Sequence, residues 1–445
     1  MYGVAFHVCD EGSIQAAPES HPDSDPISID VLRTACIAAR QVCSLLWIDQ
    51  LCILQDDVND KAWQIRQMYT IYTSDSCQCC IVLPGGLSRL VAIDEETSWI
   101  HRAWTLQEAV SPLTRVLFQW RFGPGGGNGL TGGEIIFVES GQSAMMELGD
   151  LLEAATIGYF NSVAPILTEN GCIRHDIKIF GCQSAPINAL LGVIRLKDQD
   201  ERDTAIWRSS LMRTSSRQVD MIFSIMGLFG VSLDPLRYGP TDQEQATLEL
   251  VAQILASGRG LSWLLASPNG SSLSTMSSMP IFPETKVDGH AQYMTSEGPK
   301  KPWEVVQSRS WSVRSQVRGV MLGHGNPSGQ ISINAPGIGV RSVVENRFVE
   351  YSTYSGFDVE ATIIFDPPEV LEDKAMIFAG SKGTKAILCG EVSYFNLPAT
   401  AARASVYSSV IMLLTAEEDC WHKSGFALVR KETLASWQRE TITLG

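Results

Sequence analysis

The sequence predicts an α/β domain at its start, a parallel sheet with helices on its faces, followed by a helical region and a β-rich end. Three observations carry this reading. Strand-like apolar runs alternate with helix-spaced ones over the first 120 residues. Helical spacing then dominates residues 143 to 265. From Trp303 the texture changes to short β-type runs. The expected divisions are 1–140 for the α/β domain, 141–265 for a helical extension, 266–302 for a linker and 303–445 for a β-rich module.

In chain order, Gly3 to Val8 reads as a strand, followed by the acidic loop Asp10-Glu11-Gly12. Residues 16 to 28, rich in Pro, Ser and Asp, read as a surface loop. From Ile29 to Cys43 the apolar positions Val31, Leu32, Cys36, Ile37 and Ala39 fit a helix, with Asp30 as a cap. Leu45 to Ile48 reads as a buried strand ending on Asp49. Asp56, Asp57 and Asp60 precede a second helix, where carboxylates favour the positive end of the dipole. Its stripe is Ala62, Ile65, Met68, Tyr69 and Tyr72. Cys77 to Leu83 is the next strand, stopped by Pro84, Gly85 and Gly86. WIHRAWTLQE then reads as a helix, and TRVLFQW as a further strand.

The glycine run at 123–129 lacks the Lys-Ser or Lys-Thr of a phosphate-binding loop and reads as a connector. GSKGTK at 380–385 misses the same spacing and reads as a hairpin turn. SAMMELGDLLEAATI and ATLELVAQILASG carry helical spacing. Residues 266–302 are dense in Ser, Pro, Met and Gly. Beyond them VRGVML, QISINA, ATIIF, AMIFAG, KAILCGEV, VIMLL and GFALV read as strands, with Trp421, His422 and Lys423 at a turn or surface.

Composition excludes several classes. The net charge is −15, and the first sixty residues hold ten acids against Arg33 and Arg40, so a nucleic-acid partner is not expected. No run of about 18 apolar residues occurs, and the N-terminus lacks the form of a secretory signal. A membrane partner is not expected, and a cytoplasmic location is. Most of the eleven cysteines sit in apolar runs and read as small hydrophobes rather than disulfides. His7 and Cys9 share one side of the first strand, but no metal site is expected there.

The chemistry-bearing residues gather in the stretch Leu45–Glu108. Asp49 and Gln50 follow a strand, where ligands of open α/β sheets collect. Asp49 alternatively caps the next helix. Trp104 and Glu108 fall one helical turn apart. An indole beside a carboxylate suits a nucleotide or sugar; it equally suits a core anchor beside an ion pair of Glu108 with Arg102 or Arg115. His7 and Arg102 complete the candidate binding set. Cys52 reads as packing, because an acidic segment does not favour a thiolate.

Trp47-Ile48-Asp49, Cys52-Ile53, Gln55-Asp56, the helix at 64–72 and Arg102-Ala103-Trp104-Thr105-Leu106-Gln107-Glu108, in this order, resemble the heterokaryon-incompatibility (HET) domain of fungal proteins. Three positions depart from its pattern. Phe6 stands where a serine is usual, Cys9 where a tryptophan is usual, and Leu54 where a polar residue is usual. The chain opens directly on the first strand, so an incomplete N-terminus is one expectation. Arg217, Asp220, SIMGLFGV and the β-rich tail resemble more weakly the later parts of long family members.

The resemblance implies a flavodoxin-like fold related to Toll/interleukin-receptor (TIR) domains and a role in self/non-self recognition leading to cell death. Some TIR domains cleave NAD with a glutamate four residues after a tryptophan. By that resemblance Glu108 would be catalytic, Trp104 would hold a flat base, NAD would be substrate, and no cofactor would be needed. A non-catalytic module that self-associates through the α/β domain is the alternative, as is an inactive family member. Either would answer to a trigger protein that the sequence does not identify.

Overall fold

The computed structural model describes residues 6–7, 27–54, 56–121, 133–163, 172–266, 278–280, 282–285, 291–295, 298–305, 311–315, 317–323, 329–344, 358–364, 374–379, 384–394, 409–417, 419–429 and 437–445. The chain forms two compact units, 1–187 with 223–228 and 234–239, and 188–222 with 229–233 and 240–445. Most of the strand expected at 3–8, the loop at 16–26, Cys9, Gln55, the glycine run at 123–129 and residues 380–383 lie outside the described residues.

In the first unit, β1 (Phe6–His7) pairs antiparallel with β2 (Leu45–Leu46). Between them in sequence lies α1 (Ile29–Arg40), whose N-cap is Ser28, its hydroxyl accepting from the Val31 N–H at 3.5 Å. Asp30 sits inside the first turn. Ala35 and Ala38 on α1 are small enough to bring the helix onto the sheet, where they pack on Leu117 and Met145. After β2 come α2 (Asp49–Cys52) and α3 (Val58–Thr73). Asp57 caps α3 by accepting from the N–H groups of Asn59 and Asp60, at 2.9 and 3.1 Å.

The central sheet takes β3 (Cys80–Val82), β4 (Thr114–Gln119), β5 (Ile136–Glu139) and β6 (Ser143–Glu147) in the order β3-β4-β6-β5. A 3-10 turn (Trp99–His101) and the single-turn helix α4 (Thr105–Glu108) join β3 to β4. β4 alternates: Leu117 meets the α1 face, while Phe118 and then Trp120 turn to the other, where Trp120 meets Phe137 and His175 at centroid distances of 5.3 Å. α5 (Leu148–Ile157) closes on Gly158 at φ 89°, the left-handed conformation that glycine adopts at no steric cost. The hairpin of β7 (Tyr159–Val163) and β8 (Cys172–Asp176) follows.

The parallel, flavodoxin-like sheet is corrected to a small mixed one. β3 and β4 run parallel, while β4–β6 and β5–β6 are antiparallel. Two local causes act. The β5–β6 turn is tight, with Gly141 at φ 72°, and a hairpin fixes antiparallel pairing. The expected strand Leu45–Ile48 shrinks to two residues because the chain enters α2 at Asp49; it joins β1 instead, and Leu45 is 55% exposed rather than buried. The helical reading of SAMME also yields, since Ser143–Glu147 pairs along β4 and only Leu148 onward is helical.

The second unit holds most of α6 (Ser184–Arg195), then α7 (Gln199–Leu211), the start of α8 (Asp220–Met226) and α9 (Gln243–Ala256). Trp207 on α7 gathers Phe229, Trp263 and Phe282 within 5.6–5.7 Å. Within the linker-like 266–302, strands Glu284–Thr285, Ala291–Thr295 and Gly298–Lys300 pair into a small antiparallel sheet. The β-rich end forms nine paired strands among the described residues. Ile331–Val344 pairs with both Lys374–Ala379 and Thr384–Tyr394, which closes a ring of six strands. Trp421, His422 and Lys423 lie within a strand, Cys420–Val429, rather than at a turn.

Candidate functional site

Glu108 ends α4, immediately before β4, and its side chain is half-buried. Its Oε2 accepts the indole N–H of Trp99 at 3.0 Å. Trp99 is 2% exposed and packs against Phe180 at 5.8 Å, so the donor is held from behind. Thr105 fixes the turn between them, its hydroxyl donating to the carbonyls of Trp99 and Arg102, both at 2.8 Å. On the other side of α4, the buried Gln107 amide donates to the carbonyls of Phe223 and Ser224 at 3.2 and 2.8 Å. The acid thus projects from one turn of helix locked on two sides.

Tyr72 lies on α3, which packs against α4. Burial first, and then the charges of Glu108 and Asp49 among others, push its phenol well above the ordinary tyrosine value. Trp47 meets Tyr72 edge-on at 5.8 Å. The structure so joins Glu108 to Trp99 and Tyr72 to Trp47, on two elements that pack together, α4 and α3.

The other residues singled out from the sequence are placed as follows. Asp49 and Gln50 are exposed on the first turn of α2, with Asp49 Oδ1 accepting the Gln50 N–H at 2.8 Å. The N-cap of that helix is Ile48, not Asp49. Trp104 is half-buried at the N-cap of α4, so the predicted longer helix is a single turn. Arg102 is exposed at the end of the 3-10 turn. His7 lies on β1 opposite Leu45.

Sequence reasoning missed Trp99 as the indole on Glu108 and took Tyr72 only as packing. A nine-residue separation across a 3-10 turn and a helical turn has no periodic signature. It also passed over the Cys-x-x-Cys spacing of Cys77 and Cys80. Burial pushes the Cys79 thiol up to about 11, and burial and then Glu108 push Cys80 higher than usual, so neither supplies a ready thiolate. Among the described residues no group of three or more His, Cys, Asp or Glu is placed to hold a metal.

The family comparison falls on this same unit. A family model described as "Heterokaryon incompatibility protein (HET)" matches residues 24–94. That span includes α1 to β3 and stops before Trp99 and Glu108. "Vegetative incompatibility protein HET-E-1" of Podospora anserina is 25% identical over 211 residues, covering 45% of this chain and 12% of that protein. The chain therefore spans about an eighth of that relative's length. No solved structure matches it. The chain carries a HET domain over residues 24–94 and is a distant homologue of the Podospora incompatibility protein.

Proposed function

We propose that this is a cytoplasmic heterokaryon-incompatibility protein whose first unit, on recognition of non-self, cleaves NAD and kills the cell. The observation that carries the chemical part is the half-buried Glu108 carboxylate, oriented by the Trp99 indole N–H. Cleavage breaks the bond between nicotinamide nitrogen and ribose C1′, and the electron pair leaves with nicotinamide. Positive charge develops on the ribose, a fixed carboxylate beneath it lowers the barrier, and water adds at C1′ with loss of a proton. Trp104 and Arg102 flank the same turn and are the residues proposed to hold the base and a phosphate; Asp49, Gln50 and His7 are proposed to line the far side.

The test is direct. The purified chain is incubated with NAD, and nicotinamide is measured by chromatography. Glu108→Gln, nearly isosteric, is expected to lower release about 100-fold or more with an unchanged circular dichroism spectrum, and to abolish killing on expression in a fungal cell. Killing that survives Glu108→Gln discards the NAD reading.

A second reading has its own observation. Within the HET domain Ile29, Leu45, Leu54, Val58 and Trp63 are large apolar side chains with 43–73% exposure. Such surface suits self-association or a trigger protein. In that case Leu54→Asp with Trp63→Asp abolishes killing and oligomerisation together, while Glu108→Gln leaves both.

A further inference from the structure

At the edge of the central sheet opposite Glu108 lies a cavity of about 480 Å³. Glu108 precedes β4, whereas the cavity is lined by residues that end or follow it, Gln119, Trp120 and Arg121, and by Ser143 at the start of β6. It therefore sits beyond the carboxyl end of β4, between β5, β6 and the first half of α1. Its volume falls within the range of small-molecule sites, about 300–1,000 Å³.

At its rim Glu139 and Arg121 are already matched, and Asp30 adds a further carboxylate. Glu139 accepts the Thr34 hydroxyl at 2.8 Å and pairs with Arg33 at 3.3 Å. Arg121 pairs with Glu95, and its Nε donates to Gln119 Oε1 at 2.9 Å. A register shift between Phe137 and Glu139 re-aims Glu139 towards α1. Beside Asp30, what remains unmatched is neutral. The Ser143 hydroxyl belongs to a residue 1% exposed and has no hydrogen-bond partner among the described residues. Buried hydroxyls are ordinarily partnered, so an orphan on a residue that lines a cavity points to a ligand or water that completes it. Gln119, its cross-strand partner, keeps its amide hydrogens available because its oxygen is the atom engaged by Arg121.

We propose that this cavity binds an uncharged small molecule of the nucleoside class. A hydroxyl and an amide suit the edge of a base or the hydroxyls of a ribose. The carboxylates of Asp30 and Glu139 at the rim disfavour a phosphate. The proposal does not depend on the reading of Glu108.

The test uses the full chain with adenosine, uridine and AMP in saturation-transfer NMR titrations. At least one nucleoside is expected to bind saturably, with AMP weaker than adenosine. Ser143→Ala, which removes one oxygen and leaves the strand intact, is expected to weaken nucleoside binding about three- to tenfold. Gln119→Leu is expected to weaken it comparably, and Glu108→Gln to leave it unchanged. Absence of saturable nucleoside binding, binding indifferent to both Ser143→Ala and Gln119→Leu, or tighter binding of AMP than of adenosine overturns it.

Discussion

Glu108 and Trp99 make one arrangement out of two residues that sequence spacing does not join. A hydrogen bond to a carboxylate contributes more than one between neutral groups, and half-burial reduces that advantage through solvent. Trp99→Phe keeps the ring against Phe180 and removes the donor. It is expected to cost about 1–2 kcal/mol in urea denaturation, and a change indistinguishable from zero would show that the bond only orients the acid. The position of Glu108, four residues after Trp104, was legible in the sequence. Its true partner was not, because which indole reaches the acid depends on the 3-10 turn at Trp99–His101 and on Phe180, far along the chain.

Among the elements, α3 and α7 show how packing tightens what propensity begins. The apolar stripe of α3 predicts a helix, and Asp57 gives it a start. The stripe does not say what covers it. Tyr69 meets Gly227 so closely that a Cβ at 227 would overlap the tyrosine. Gly227→Ala is therefore expected to cost about 1–3 kcal/mol by overpacking, read as a lower denaturation midpoint. An unchanged midpoint would mean that the ring moves freely.

α7 has the opposite character, since its sequence looks polar yet nearly every residue from Asp203 to Leu211 is buried. Ion pairs allow this: Arg259 Nη1 reaches Asp203 at 2.6 Å and Arg314 Nε reaches Glu201 at 2.9 Å. Burial nonetheless outweighs the guanidinium at Asp203 and pushes its carboxyl up to about 6 from the usual 3.8. Between those values the folded chain holds a proton that the unfolded chain has released, so raising the pH through that window lowers stability. The contribution amounts to about 3 kcal/mol, fully felt at pH 7. In Asp203→Asn that component vanishes. The stability difference, wild type minus variant, is therefore expected to fall between pH 4 and pH 7 in denaturant titrations; a flat difference would refute the shift.

For the whole molecule, the acidic surface and the texture of the chain set the broad layout, and the structure changes how its parts connect. Among the described residues no helix is long and apolar enough to cross a membrane. The β-rich end was legible run by run, because alternating apolar segments bounded by Gly, Ser and Pro carry strand information locally. Its ring closure was not, because it depends on Ile331–Val344 serving several partners along its length. The first sheet failed in the complementary way. Helices α1 and α3 and strand β4 stand where periodicity put them, yet the sheet is mixed rather than parallel.

The sequence by itself determined the HET motifs, the helices with a clean apolar stripe and the β character of the end, since each is written in residues a few positions apart. Tertiary structure alone decided the strand order, the Trp99–Glu108 pair, the buried acids of α7 and the cavity beside Ser143. Those depend on contacts between residues distant in the chain, whose cost and gain are fixed only when burial removes water from around them.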